Sequence, residues 1–138
     1  MDGVKELKAG HPPGMRTLFL TEMWERMSYY GMRALLVLFM VSPVERGGMG
    51  MEAAEATAVY GLYTALVYLA ALPGGWVGDR LTGTRDGVWW GGVVIASGHL
   101  VLGFHDPKAF YAGLVLGALG SGLLKSNMST LFGALYPE

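Results

Sequence analysis

A short stretch early in this 138-residue chain gathers residues whose types and spacing could do chemistry together. At 100° per residue, Glu22, Glu25, Arg26, Tyr29 and Arg33 share one arc of about 100°, while Trp24, Met27, Gly31 and Leu35 point elsewhere. Carboxylates and guanidinium groups on one stripe can hold one another as ion pairs, shift a proton when a cation changes partner, or bind a ligand of opposite charge. On a helix in water such a stripe is a solvated face with i,i+4 pairs. Inside a bilayer an ionised group at mid-span costs roughly 2.5–3.5 kcal/mol, so the stripe would have to face protein or a water-filled cavity. A purely structural ion-pair cluster is the alternative reading.

A second candidate is Lys125. Gly113, Gly117, Ser121 and Lys125 step along the sequence by four, a ridge of small residues that lets another helix approach and ends on a cation. Packing alone explains the glycines. A lysine on such a ridge is neutral or paired, and the carboxylates in register are Glu22 and Glu25. It either changes partner during a cycle or forms a static salt bridge. Tyr60, Thr64 and Tyr68 fall on a common face and could bring hydroxyls to the same place, although Tyr60 fits an interfacial aromatic belt equally well. The segment Gly74 to Arg85 combines glycines for a tight turn with Asp79, an acceptor at a helix boundary, and taken alone it reads as an ordinary basic loop.

The elements that must position these groups follow from composition. Residues of the AVILMFWYC set make up 52% of the chain, glycine adds 22 residues and charged residues only 15%, which is too apolar for an ordinary soluble domain. Ala56 to Gly78 is an uncharged run of 23 residues, Gly87 to His105 one of 19, and Ala109 to Pro137 is broken only by Lys125; a bilayer core takes about 20 helical residues. With the less clean stretch from Arg16 to Val41, the reading is an all-α membrane protein of four transmembrane helices, spanning about 16–41, 53–77, 87–105 and 109–136. Residues 1–14 form a polar tail, and 15–138 the membrane domain. Short connectors predict that neighbouring helices run antiparallel and pack together. Lys5, Lys8, Arg16, Arg80 and Arg85 lie on one side and Arg46 and Lys108 on the other, placing the amino terminus and the 78–87 loop in the cytoplasm.

Several function classes fall away. A net charge of −1 offers no nucleic-acid surface. There is no cysteine, and His11, His99 and His105 stand apart, so no metal set is expected. Neither a Ser/His/Asp grouping nor an HExxH or phosphate loop argues for an enzyme.

Taken together, three segments carry a resemblance. Glu22-Met-Trp-Glu25-Arg26-Met-Ser-Tyr29-Tyr30-Gly31 resembles the ExxERxxYYG first-helix signature of the proton-dependent oligopeptide transporters (POT/PTR), a branch of the major facilitator superfamily. Gly75 to Arg85, with Asp79, Arg80, Gly83 and Arg85, is similar to that superfamily's loop 2–3 motif. Lys125-Ser126-Asn127 resembles the family's fourth-helix LKPN segment, with Ser126 where proline is usual.

The resemblance implies that Glu22, Glu25, Arg26 and Lys125 form a proton-coupling cluster. It further implies that Arg33, Lys125 and Arg26 attract a peptide carboxylate, and that Tyr29, Tyr30 and Tyr68 line a di/tripeptide pocket. Transport would be driven by a proton gradient with no cofactor, in the inner membrane of a bacterium. The chain would be the amino-terminal part of such a symporter, start of a six-helix bundle, lacking the carboxyl-terminal helices and inactive alone. A small dimerising four-helix membrane protein and a degenerate, non-transporting paralogue remain as alternatives.

Overall fold

The computed structural model describes residues 10–136. Most of the expected tail, residues 1–9 with Lys5 and Lys8, lies outside the described residues, as do Pro137 and Glu138. All regular structure among the described residues is helical: α1 (Met15–Val41), α2 (Ala53–Val77), α3 (Thr84–Leu102) and α4 (Pro107–Leu135). A 3-10 turn (Val44–Arg46) follows α1, and α2 continues as a π-helical turn, Gly78–Thr82.

Each boundary has a local cause. Pro43 disfavours helical backbone at Ser42, which is extended (φ −63°, ψ 142°) and ends α1. The chain then folds back on the helix end: Met49 N–H donates to Phe39 O (3.1 Å), Met51 N–H to Met40 O (2.8 Å) and Gly50 N–H to Ser42 O (2.8 Å). Carbonyls that a helix end leaves orphaned are thereby satisfied. Gly83, at φ 83°, turns the chain from the π-helical turn into α3, a backbone state that glycine adopts without strain. Asp106 caps α4, its side chain accepting from Lys108 N–H at 3.3 Å with Pro107 at the first helical position.

Two of these helices, Ala53–Thr82 (with the π-helical turn) and Pro107–Leu135, are long and apolar enough to cross a membrane by length and composition. Charged residues keep α1 from meeting that criterion.

The packing departs from the expectation that sequence neighbours associate. The central helix is α4, held closely by α3 on one side and α2 on the other, while α2 and α3 scarcely meet and α1 rests lightly on α2 and α4. Glycines on two sides of α4 explain this. A Cβ on Gly98 or Gly120 would lie 2.9 or 2.8 Å from backbone of the facing helix in the α3–α4 pair, and one on Gly122 would lie 2.6 Å from Ala70 C on α2. Backbone-to-backbone approach of this kind needs small residues on both partners, and α4 carries them facing both ways.

Asn127 closes the corner where α2, α3 and α4 meet. It is 1% exposed, and its Nδ2 donates to Gly74 O (3.1 Å) and Leu123 O (2.7 Å). Its side chain occupies the space that a Cβ on Gly78 or Gly87 would need. The apolar core above it comprises Leu36, Met40, Tyr63, Val67, Phe110 and Leu114 with Ala56 and Ala118. Outward faces are also apolar: Leu62, Leu72 and Leu100 are 72%, 76% and 75% exposed.

Candidate functional site

Helix α1 presents its polar stripe to α4, where the small-residue ridge ends at Lys125. Lys125 Nζ lies 3.3 Å from Glu25 Oε1 and 3.4 Å from Oε2, and the contact to Oε2 has hydrogen-bond geometry. The pair is unequally buried, with the Glu25 side chain 5% exposed and that of Lys125 34%. Nζ also stands 5.5 Å over the Tyr29 ring, a cation–π contact that holds the ammonium from a second direction. Tyr29 in turn stacks on Tyr63 (centroids 6.3 Å apart, 21° between planes) and meets Tyr30 edge-on.

The four residues expected to cluster are arranged as two separate pairs. Arg26 donates to Glu22 Oε1 from Nη2 (2.8 Å) and Nε (3.1 Å) within α1, and both side chains are open to the outside. Glu25 and Lys125 form the interhelical pair. Helical geometry separates them: Glu22 and Arg26 lie one turn apart on the outer part of the stripe, whereas Glu25 lies toward α4.

Both pairs open on one cavity of about 330 Å³, lined by Glu22, Glu25, Arg26, Tyr29, Tyr30, Tyr68, Lys125 and Ser129, with Val67, Leu124, Met128 and Phe132 as its apolar wall. Tyr68 is 71% exposed at its rim. Arg33 does not line this cavity; its guanidinium sits 4.9 Å over the Tyr60 ring, bridging α1 to α2. The loop-motif residues Asp79, Arg80, Gly83 and Arg85 are exposed and do not line the cavity, and Gly75 approaches Ser126 across the α2–α4 contact. Ser126 donates back to Gly122 O (2.9 Å), and α4 continues through it as one helix.

Two contributors escaped the sequence reading, and Asn127, read only as part of a motif segment, packs the corner just described. Tyr63 is buried beneath Tyr29. The other is a pair between helices: Ser28 Oγ lies 2.8 Å from His99 Nε2. Ser28 follows Glu25 by three residues and so borders the same stripe, which is the one signal the sequence offered; His99 has no local partner pattern at all.

Chemically, the cavity exposes a cation whose permanent partner is a buried carboxylate, with aromatic walls beside it. An anionic group entering from the open side would compete with Glu25 for Lys125.

No family model matches the chain. It is 46% identical over 130 residues to the peptide transporter YePEPT of Yersinia enterocolitica, covering 92% of this chain and 25% of that protein. With the di-/tripeptide transporter of Lactococcus lactis it shares 45% over 132 residues, covering 94% and 27%. Among solved structures, a variant of the peptide transporter POT in complex with alafosfalin superposes with a TM-score of 0.88 at 45% identity, covering 95% of this chain and 27% of that one. The chain thus spans about a quarter of the length of the relatives it matches. Over the part that it spans, the chain is similar in both sequence and fold to peptide transporters of the POT family.

Proposed function

We propose that the chain is the amino-terminal part of a proton-coupled di/tripeptide symporter, supplying its proton-coupling residues and the positive end of its peptide site. The observation that carries this reading is the buried Glu25–Lys125 pair, made across α1 and α4 at the wall of an open cavity. A peptide carboxylate entering that cavity draws on Lys125 and Arg26. Glu25, losing its cation while 95% of its side chain stays out of contact with solvent, then takes up a proton, because an unpaired buried carboxylate is far costlier than a neutral acid. Proton and peptide are linked through competition for the same positive charges. Tyr29, Tyr30 and Tyr68 offer side-chain-tolerant walls, and Arg33 adds positive potential one turn beyond.

In this reading all four helices, with 15–138 as one domain, cross the inner membrane of a bacterium. Residues 1–14 and the 78–87 loop are cytoplasmic. Transport requires the helices of the other half, so the four-helix segment alone moves no peptide. The test is Glu25→Gln in the full transporter, reconstituted in liposomes. Accumulation driven by a pH gradient is expected to disappear while peptide counterflow, which needs no net proton movement, persists. Undiminished gradient-driven accumulation would overturn the assignment.

A further inference from the structure

Glu25 pairs with Lys125, and its Oε1, 3.3 Å from Nζ, is buried and makes no hydrogen bond. Beside the carboxylate lies a small space of about 10 Å³ lined by Glu25, Ser28, Tyr63, His99, Gly117 and Ser121. That is about the least volume that holds one water, which also needs two to four polar partners. The Glu25 carboxylate and the hydroxyls of Ser28 and Ser121 supply them, and Ser28 is already bonded to His99 Nε2 at 2.8 Å.

We propose that this space is a water site, and that it joins Glu25 through Ser28 to His99, making His99 a second proton-holding residue behind the ion pair. The inference rests on the proton-coupling role proposed for Glu25. A proton on the Glu25 carboxyl passes to the water as the water gives one to Ser28 Oγ, and Ser28 gives its own to His99 Nε2. The result is a Glu25 carboxylate and a His99 imidazolium, with water and serine unchanged and the other ring hydrogen kept on Nδ1. The titratable groups facing this path are Glu25 and Tyr29 from α1 and Tyr63 from α2; α4 contributes the neutral Gly117 and Ser121, and Lys125, which pairs with Glu25, does not line the space. The relay therefore carries the state of the ion pair to α3, which contributes no residue to the peptide cavity.

The experiment is solid-state NMR on the protein in lipid bilayers with 15N-labelled histidine. Water-to-imidazole magnetisation transfer is expected at His99 and should be lost in Gly117→Ala. That substitution meets nothing nearer than Tyr63 Oη at 3.7 Å, yet puts a methyl group beside the water site. Ser28→Ala, which keeps the space but removes the link, should retain a buried water while uncoupling it from the ring. In Glu25→Gln the His99 ring nitrogens should shift toward the neutral-imidazole signature at the same pH. No water transfer in the wild type, unchanged transfer in Gly117→Ala, or ring shifts indifferent to Glu25→Gln would overturn the proposal. In uptake assays of the full transporter, His99→Gln keeps a hydrogen bond for Ser28 but binds no proton, so an altered pH profile of uptake separates relay from mere positioning; an unaltered profile counts against the relay. Should the reconstituted full transporter take up no peptide while the NMR outcomes hold, the transport reading fails and the water relay stands.

Discussion

Removing Lys125 should cost far more than removing Arg26, although each cation is paired with one glutamate. In Lys125→Met the ammonium leaves 3.3 Å from a carboxylate whose side chain is 5% exposed, whereas Arg26 and Glu22 are 56% and 36% exposed. Coulomb's law at an effective dielectric of about 20 gives the Glu25–Lys125 pair an attraction of about 5 kcal/mol at its 3.3 Å separation. The loss on breaking a buried pair from one side is typically about 3–5 kcal/mol. The exposed Arg26–Glu22 pair is screened, and Arg26→Ala is expected to leave unfolding almost where it was. Because a proton relieves an orphaned buried carboxylate, the penalty in Lys125→Met should be smaller in acid. The double variant Lys125→Met/Glu25→Gln should recover most of it at neutral pH. Thermal unfolding of the protein in detergent micelles between pH 5 and 8 measures all of this. Equal losses for the two cation deletions, or a loss in Lys125→Met that neither acid nor Glu25→Gln relieves, would refute the argument from burial.

Gly122→Ala should loosen the α2–α4 contact by about 1–3 kcal/mol, the usual cost of overpacking, since its Cβ would meet Ala70 C at 2.6 Å; Gly61→Ala, with nothing within 4 Å, should stabilise α2 or leave it unchanged, and unfolding midpoints that rank the two in the opposite order would contradict the packing account. For topology, Val44→Cys and Leu81→Cys sit at exposed positions, 69% and 68%, in a cysteine-free chain, and an impermeant maleimide should label the first but not the second in intact cells; the reverse pattern would invert the proposed orientation. Arg33→Ala in the full transporter should weaken dipeptide binding by about 2–5 kcal/mol if Arg33 meets the peptide carboxylate, while unchanged affinity by calorimetry would leave it only its Tyr60 contact.

The sequence by itself determined where the helices lie and which helix face is polar. Charge gaps and prolines do this locally: the uncharged run from Ala56 falls on α2, Ser42-Pro43 ends α1, and Asp106-Pro107 starts α4. It also carried the three motif segments, because a POT-like signature is written in contiguous residues. Helix neighbourhood was beyond it. Short connectors suggested that each helix packs on the next, yet the glycines of α4 face two ways and draw α2 and α3 to opposite sides of it, a choice settled by backbone approach distances that no single helix encodes. For the same reason the polar stripe could be drawn but not divided. Its period placed Glu22, Glu25, Arg26, Tyr29 and Arg33 together, whereas only the seating of α1 against α4 buried Glu25 on Lys125, left Glu22 with Arg26 in the open and turned Arg33 to Tyr60. Ser28 and His99 are 71 residues apart, and pairing at that separation is a property of packed helices, decided by the tertiary structure alone.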